Sequence, residues 1–392
     1  MKKIIYHRKT RQKALAFILS IIIAFGGMMF GVNAENESYP NLNLDCKSAV
    51  LMEAETGKIL YANNENEALP PASVTKVMTL LLIMEAIEQK KITYTDMVAA
   101  SENACSMGGS QIYLEVGEQM SVEDLIKSVV IASANDAAVT LAEYIAGTED
   151  AFVDMMNARA RELGMENTNF ENTNGLDDTT ENHVTSAKDI AIMSRELIKY
   201  PKITEYSSIW MDTVRNGEFG LTNTNRLIRF YKGATGLKTG STSKAGFCIT
   251  ATAQRDGMTL IAVIMASPSR DARNSAAVSL LNYGFSNFTV YRSKAAAAQD
   301  IAVIKGSQSL CHTVAEEFVT VIPKNMAGNI EKKIELQPAV AAPIVKGQQV
   351  GTVTYTCNGN VLGTSAIVAA HAVDTVNLAD IFMRLLSKMV LN

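Results

Sequence analysis

The stretch PPASVTKVMTLLLIMEAIEQ, residues 70–89, decides the fold of this chain. Two prolines come first, and the spacing after them predicts a helix over residues 73–89. Apolar side chains dominate residues 77–84 and leave this helix no polar face, which is typical of a helix that is buried on all sides. A domain large enough to surround it must therefore be built from the sequence before and after it.

Short strand patterns lie on both sides of this central helix. Residues 48–54 and 59–62 form a predicted hairpin upstream. Downstream, residues 247–253 and 258–265 flank an Asp-Gly pair, which is a strong hairpin signal. Since helical patterns fill most of the chain between the two hairpins, we predict an α+β fold. Its antiparallel sheet is assembled from distant segments around a helical block.

The last part of the chain changes character. From about residue 300, short alternating strands are separated by Gly, Pro and Asn turns, which predicts a small all-β domain. The final residues then have the spacing of an amphipathic helix. The expected organisation is a first domain over residues 35–290, an all-β domain over 291–374 and an amphipathic helix over 375–392.

The first 34 residues have the three-part layout of a secretory signal peptide. A basic head precedes an uncharged, largely apolar stretch over residues 14–32, and Val32-Asn-Ala34 offers a cleavage site. The apolar run also approaches the length of a bilayer span, so a retained membrane helix is the alternative. Under either interpretation the rest of the chain is exported and extracytoplasmic.

Composition excludes several classes of protein. The formal net charge is −4, and the leader holds six of the 36 basic residues, so a basic footprint for nucleic acid is absent. The five cysteines are scattered without C-x-x-C spacing, which indicates neither a zinc site nor a redox motif. We therefore expect no metal and no cofactor.

Histidine is scarce. Only four occur, and His183 alone lies near the region that carries the motifs described next. The sequence therefore offers hardly any histidine that could serve in a Ser-His-Asp triad. A serine nucleophile would need another base, and lysine is the leading alternative.

Ser73-Val-Thr-Lys76 opens the central helix. The i, i+3 spacing puts both side chains on one helical face, close enough for hydroxyl and amine to meet. The helix N-terminus favours the negative charge that develops on an attacking serine, and burial favours the neutral amine that a general base requires. The alternative for Ser73 is a helix cap, and Ser241-Thr-Ser-Lys244 has the same spacing.

Two further triplets follow in order. Ser133-Ala-Asn interrupts a helical region, and Lys238-Thr-Gly lies on a predicted edge strand. Residues 101–103 also fit S-x-N, so structural context has to decide between them. The order S-x-x-K, S-x-N, K-T-G is the constellation of serine penicilloyl enzymes. Its expected roles are proton relay by Ser133 and Lys238, amide binding by Asn135, and carboxylate binding by Lys238 and Thr239.

From about residue 44 to 285 the chain resembles the D-alanyl-D-alanine carboxypeptidases, the low-molecular-weight penicillin-binding proteins that trim peptidoglycan pentapeptides. Besides the motifs, the resemblance rests on PPASVTKVMT from residue 70, LGMENTNF from 163, TNGLDD from 173, GLKTGST from 236 and LLNYGF from 280. It implies a β-lactamase/transpeptidase-like catalytic domain, the stem pentapeptide as substrate and β-lactams as covalent inhibitors. It also implies an acyl-enzyme on Ser73 with Lys76 as base, and Ser133, Asn135 and Lys238 as the other catalytic groups.

The resemblance implies three further features of the site. The oxyanion hole would consist of the backbone N–H groups of Ser73 and Ser241. Arg273 matches the position of an arginine that helps to hold the terminal carboxylate, with a solvated helix charge as its alternative. The chain departs from some members of the family in having Ser133-Ala-Asn for Ser-Gly-Asn, and Ser241 where others carry His. The second difference leaves the substrate preference open.

The same motifs are compatible with functions besides that of a carboxypeptidase. A β-lactamase needs a second carboxylate to activate the deacylating water, and Glu166 is the candidate by position. A D,D-endopeptidase and a catalytically silent wall-binding protein are two more hypotheses. The β-domain appended to the catalytic part argues against the β-lactamase and the endopeptidase. The intact Ser73, Lys76 and Lys238 argue against a silent wall-binding protein.

The terminal helix is expected to lie on the outer face of the cytoplasmic membrane. It is charged and shorter than a bilayer span, so it should lie in the interface and not cross it. The alternative is a helix packed on the β-domain.

Overall fold

The computed structural model describes residues 39–178 and 180–390. The leader predicted over residues 1–34 and the last two residues of the predicted terminal helix lie outside this range. The chain from Leu42 onward belongs to one compact unit.

The strands of the described chain fall into two groups. The first group consists of β1 (Ser48–Glu53), β2 (Ile59–Asn63), β3 (Met97–Ala99), β4 (Gln119–Ser121), β5 (Met211–Val214), β6 (Phe219–Thr222), β7 (Ala234–Thr242), β8 (Gly246–Arg255) and β9 (Met258–Ser267). The second group consists of β10 (Phe288–Ser293), β11 (Ala296–Ile304), β12 (Leu310–Ala315), β13 (Phe318–Pro323), β14 (Ile330–Leu336), β15 (Ala339–Ala341), β16 (Gln349–Cys357) and β17 (Asn360–Ala369).

The α-helices are α1 (Lys76–Glu88), α2 (Glu102–Cys105), α3 (Val122–Lys127), α4 (Asn135–Ala146), α5 (Glu149–Glu162), α6 (Ala187–Leu197), α7 (Pro201–Ser207), α8 (Leu227–Phe230), α9 (Arg270–Asn287) and α10 (Leu378–Val390). Three 3₁₀ turns are also described, at Ala72–Thr75, Arg215–Gly217 and Lys324–Met326, together with a π-helical turn at Ser128–Ala132.

A five-stranded sheet in the order β2-β1-β9-β8-β7 forms the frame of the first part. All of its neighbouring strands pair antiparallel. Val50 on β1 lies opposite Ala62 on one side and Val263 on the other. This confirms the prediction of one antiparallel sheet assembled from distant segments, and it places β7, with the K-T-G motif, at the sheet edge.

Helix α1 lies in the hydrophobic core that the sheet and the helical block share. It packs against α4 and α6, and the whole run from Val77 to Met84 is buried. The structure differs from the predicted single helix in the first turn, because Ala72–Thr75 is a 3₁₀ turn. Ala72 has a left-handed φ of +49°, and its carbonyl accepts a hydrogen bond from the Thr75 hydroxyl. Ser73 therefore lies in a tight turn that leads into α1.

The break in the second predicted helical stretch has a definite conformation. Helix α3 passes into the π-helical turn Ser128–Ala132, and Ser133 follows with a left-handed φ of 65° and ψ of 29°. Helix α4 then begins at Asn135. A non-glycine residue in this backbone region is strained, and such residues cluster at functional sites.

The second part of the described chain is all-β. A six-stranded sheet has the order β14-β16-β17-β12-β11-β15, and β10 pairs with β13. Phe318 stacks on Tyr355 in its core, with ring centroids 4.1 Å apart. Side chains also join this part to the first, since Arg292 forms ion pairs with Glu55, beyond β1, and with Glu317.

Helix α10 ends the described chain. Its described apolar side chains are exposed, namely Leu378, Ile381, Phe382, Met383, Leu386 and Met389. Among the described residues, none of the helices combines the length and the hydropathy that crossing a bilayer requires.

Candidate active site

Ser73 and Lys76 meet as their spacing predicts. The Lys76 Nζ lies 3.0 Å from the Ser73 Oγ. Lys76 is fully buried, whereas Ser73 is partly exposed. Burial first, and Lys238 second, hold the pKa of Lys76 well below its usual value. A neutral amine next to a serine hydroxyl is the arrangement that a general base requires.

Two other oxygen atoms contact the Lys76 amine. Its Nζ lies 2.5 Å from the Asn135 Oδ1 and 2.7 Å from the Asn174 carbonyl oxygen. Both oxygens can only accept, so they take the two N–H donors of a neutral amine. In the neutral form that burial favours, the remaining lone pair faces the Ser73 hydroxyl.

Asn135 also binds the backbone of a neighbouring loop. Its backbone N–H donates to the Ser110 carbonyl and its Nδ2 donates to the Gly108 carbonyl. The next residue, Asp136, is buried and accepts hydrogen bonds from the Ile112 and Leu114 N–H groups. Asn135 and its neighbour Asp136 therefore hold the backbone of residues 108–114 in place.

The K-T-G motif brings the edge strand β7 against the turn that carries Ser73. A Cβ at Gly240 would lie 2.8 Å from both the Pro71 oxygen and the Ser73 nitrogen, and 2.9 Å from the Val74 nitrogen. These distances are shorter than side-chain carbons tolerate, so any other residue would push β7 away from the turn. The close approach brings the backbone of Gly240 next to the backbone nitrogen of Ser73.

The three motifs surround one cavity of about 190 Å³. Its lining residues are Ser73, Ser110, Ser133, Thr224, Thr239, Gly240, Ser241, Arg270 and Arg273. The predicted residues Ser73, Ser133, Thr239, Ser241 and Arg273 thus come together, and the buried Lys76, Asn135 and Lys238 support the cavity from below its surface. None of the lining residues named here carries a carboxylate.

Positive charge dominates this cavity. Burial, and then Arg273, lower the pKa of Lys238 to about 7, and the Lys238 Nζ donates to the Thr239 carbonyl. Arg273 is only 3% exposed, and burial, followed by Arg270, lowers its pKa to about 10. Its guanidinium donates to Asn274 and Cys248 and reaches the cavity lining. The alternative of a solvated helix charge at Arg273 is therefore wrong.

The competing sequence matches have other roles. The Ser101 hydroxyl accepts from the Ala104 N–H and caps α2. Lys244 donates to the carbonyl of Asp177. Glu166 is exposed and is not part of the cavity lining. None of these matches reproduces the contacts of Ser73, Asn135 or Lys238.

Some residues of the site were not predicted. Sequence reasoning did not identify the Asn174 carbonyl, Ser110, Thr224 or Arg270. A signal existed for Asn174, since TNGLDD from residue 173 is one of the stretches that carry the resemblance. The carbonyl itself could not be found, because every residue has one and only the fold selects which of them faces Lys76.

Two family models match the sequence. The model described as D-alanyl-D-alanine carboxypeptidase covers residues 33–269. The model described as penicillin-binding protein 5, C-terminal domain, covers residues 285–375. These matches support the division into a catalytic and an all-β part, while the exact boundaries proposed from the sequence remain a prediction.

Known proteins are similar over most of the chain. It is 44% identical over 333 residues to the D-alanyl-D-alanine carboxypeptidase DacF of Bacillus subtilis (strain 168), covering 83% of this chain and 85% of the relative. Penicillin-binding protein 5 from Haemophilus influenzae superposes with a TM-score of 0.77 at 32% identity, over 86% of this chain and 99% of that one. Penicillin-binding protein D2 from Listeria monocytogenes, in an ampicillin-bound form, superposes with a TM-score of 0.58 at 31% identity. The match covers 63% of this chain and 100% of that one.

Proposed function

The chain belongs to the D-alanyl-D-alanine carboxypeptidase family, and from that premise we propose that it removes the terminal D-alanine from peptidoglycan pentapeptides through an acyl-enzyme on Ser73. One observation carries the proposal. The buried Lys76 amine lies 3.0 Å from the Ser73 hydroxyl, at the edge of a cavity lined by the other two motifs.

Proton transfer begins between these two residues. Ser73 Oγ attacks the carbonyl carbon of the penultimate D-alanine while its proton passes to the Lys76 Nζ. The Asn135 and Asn174 oxygens keep the lone pair of the amine aimed at Ser73 and then stabilise the ammonium that forms. A buried lysine can act as a base at neutral pH because burial disfavours its charged form.

The rest of the acyl transfer uses the cavity walls. The carbonyl oxygen becomes negative in the tetrahedral intermediate, and the N–H groups of Ser73 and Ser241 would hold it. As the C–N bond breaks, the leaving D-alanine amine takes up the proton that Lys76 received from Ser73, with Ser133 and Lys238 as the relay. Water then hydrolyses the ester on Ser73 and completes the turnover.

Recognition of the leaving group depends on the positive end of the cavity. A terminal D-alanine carries a carboxylate, and Arg273 and Thr239 offer a guanidinium and a hydroxyl in the cavity lining. The buried Lys238 amine donates to the Thr239 carbonyl. Arginine suits this role because its planar N–H groups match a carboxylate. Arg270 adds a second guanidinium at the same end.

β-Lactams should acylate the same serine. Penicillin-binding protein D2 from Listeria monocytogenes, similar to this chain, has been solved in an ampicillin-bound form. No carboxylate belongs to the lining residues of the cavity around Ser73, and Glu166 is exposed elsewhere. We therefore expect slow hydrolysis of the penicilloyl-enzyme, in contrast to a β-lactamase.

Mass spectrometry after brief exposure to benzylpenicillin tests the assignment. One covalent addition should appear on the peptide that contains Ser73 and should persist for minutes or longer. Ser73→Ala should abolish it, while Ser241→Ala should still be labelled at Ser73. Labelling that survives Ser73→Ala, or that maps to Ser241, contradicts the proposed nucleophile.

We also propose that the protein is exported by its leader and attached to the outer face of the cytoplasmic membrane through the terminal helix. The exposed apolar side chains of α10 support this, since Phe382 is 62% and Met389 is 81% exposed. A helix that buries such a face in the interface gains free energy in proportion to the apolar area removed from water.

Fractionation of the leader-cleaved protein tests the attachment. Deleting residues 376–392 should release active enzyme into the soluble fraction. The double substitution Phe382→Ser with Met389→Ser should weaken attachment, whereas Val361→Ser, at an exposed apolar side chain of the β-domain, should not. Truncated protein that stays with the membrane would show that the helix is not the anchor.

A further inference from the structure

A buried histidine lies directly behind the turn that carries Ser73. His183 is 4% exposed and packs edge-on against Phe170, with ring centroids 5.8 Å apart. Its Nε2 lies 2.7 Å from the Thr75 Oγ1, and its Nδ1 accepts a hydrogen bond of 2.9 Å from the Glu171 N–H. His183 does not line the cavity, so it cannot contact a substrate bound there.

The hydrogen bonds around this imidazole form a chain of donors and acceptors that leads from the Glu171 N–H to the Ala72 carbonyl. Because the Glu171 N–H is a donor, the His183 Nδ1 must present its lone pair, and the proton of the neutral ring lies on Nε2. Burial lowers the pKa of His183 to about 4, which keeps the ring neutral near pH 7. Nε2–H therefore donates to the Thr75 hydroxyl, and the hydroxyl proton goes to the Ala72 carbonyl, 2.9 Å away.

The Ala72 carbonyl belongs to the same peptide unit as the Ser73 N–H. A peptide unit is planar and trans, so its C=O and N–H point in opposite directions. Whatever fixes the Ala72 carbonyl therefore also fixes the direction of the Ser73 N–H. Such a constraint is needed because the backbone of Ala72 is strained. Its φ of +49° costs a residue with a Cβ on the order of 1–3 kcal/mol.

The opposite side of this carbonyl is closed by the loop after α5. A Cβ at Gly175 would collide with the Ala72 carbonyl oxygen and would lie 2.8 Å from the Thr75 Oγ1. Gly175 itself has a φ of +84°. The carbonyl is thus enclosed between a glycine and a hydroxyl whose orientation His183 determines.

We propose that His183 is a positioning residue that acts through Thr75 to lock the Ala72–Ser73 peptide plane, so that the Ser73 N–H is oriented toward the oxyanion before substrate arrives. The inference rests on the proposed role of Ser73 as nucleophile and oxyanion donor. It assigns His183 a part in the reaction although the histidine touches neither substrate nor base.

If His183 had a purely structural role, acylation would depend on its bond to Glu171 and not on its bond to Thr75. His183 also binds the Glu171 N–H and packs on Phe170, so its loss could act by loosening the loop alone. The two roles depend on different ring nitrogens. Asn places an acceptor near the Nδ1 position and keeps the Glu171 bond, whereas Gln places a donor near the Nε2 position and keeps the Thr75 bond.

Four variants separate these roles. Thr75→Val and His183→Asn break the path to the Ala72 carbonyl, whereas Thr75→Ser and His183→Gln keep it. Removing an oxyanion donor outright costs about 10²–10³ in kcat, so misalignment should lower the acylation rate by about 10–100-fold in the first pair. The second pair should stay within about fivefold of the wild type. Ser194→Ala removes another buried hydroxyl bond, to Thr250, and is the control for stability.

The decisive readout is affinity for an acylaminomethyl boronic acid, which forms a tetrahedral adduct on the serine with an oxygen in the oxyanion hole. Affinity should fall by the same factor as the acylation rate, while the KM for a D-Ala-D-Ala peptide changes little. If Thr75→Val does not fold, the ratio between His183→Asn and His183→Gln decides.

Two results would overturn the inference. One is acylation of folded Thr75→Val, or of His183→Asn, within threefold of the wild type. The other is a loss of acylation that tracks the melting temperature, appears equally in Ser194→Ala, or leaves boronate affinity unchanged. Failure of the wild type to be labelled at Ser73 is a separate result that contradicts the proposed function itself.

Discussion

Replacing Gly240 by alanine should disable the site without unfolding the protein. The added Cβ would lie 2.8–2.9 Å from three backbone atoms of the Ser73 turn. Ordinary contacts of a Cβ begin near 3.4 Å, so β7 and the turn must separate by about half an ångström. No flexible side chain can move aside, because every atom in contact belongs to the backbone.

The expected loss follows from that displacement. Positioning errors of about 1 Å cost on the order of 10²-fold in rate, and loss of one oxyanion donor costs about 10²–10³. We expect kcat/KM for Gly240→Ala to fall by about 10²–10³, which raises the barrier by roughly 3–4 kcal/mol. Overpacking of this kind lowers the free energy of unfolding by about 1–3 kcal/mol, so the variant should still fold.

The assay is the second-order rate of labelling by a fluorescent penicillin, together with D-alanine release from a pentapeptide. Gly220→Ala is the matched control, since Gly220 also lies in a strand but has no atom within 4 Å of its Cβ position. It should retain wild-type rates. A folded Gly240→Ala that is labelled within threefold of the wild type would refute the close-contact argument.

Three further expectations concern charge and protonation. Lys76→Ala should slow acylation by about 10²–10⁴, and His183→Ala should slow it clearly less. Equal losses would contradict the lysine base. Glu166→Gln should leave pentapeptide hydrolysis and penicillin turnover unchanged, whereas collapse of a fast penicillin turnover would indicate a β-lactamase. His183 should lower the free energy of unfolding by about 2 kcal/mol as the pH falls from 7 to 5, because the unfolded His183 is protonated below about 6.5 and the folded one only below about 4. Urea unfolding of His183→Gln should lack this part of the decrease.

The sequence predicts the frame of the fold because local patterns determine it. The Asp-Gly pair at residues 256–257 predicted the hairpin of β8 and β9. The apolar run of α1 predicted a domain that surrounds this helix. In the β-domain the sequence pattern predicts strands at residues 301–304, 318–322, 333–336 and 350–355. It predicts neither β12 nor β17. Both contain polar or glycine positions, and their assignment depends on partners such as β16, which the pattern of a single segment does not reveal.

The site was predictable to the extent that it is encoded in short motifs. Spacing alone brought Ser73 to Lys76, and the order of the triplets identified Ser133, Asn135 and Lys238. Spacing could not foresee that Ser133 adopts a left-handed conformation or that Arg273 is buried. Both features depend on the packing of segments that are distant in sequence.

A serine and a lysine one turn apart are common in helices, and what makes this pair chemically competent lies outside the motif. The Asn135 oxygen comes from a helix 59 residues further along the chain, and the Asn174 carbonyl from a loop 98 residues away. Without these two acceptors a buried amine would hold no defined orientation, and its lone pair would have no reason to face Ser73. Burial alone would lower the pKa of Lys76, but only the fold as a whole gives the neutral amine a direction. The chemistry therefore has two separate requirements. The motif must bring Ser73 and Lys76 together, and the surrounding domain must supply the acceptors that orient the amine.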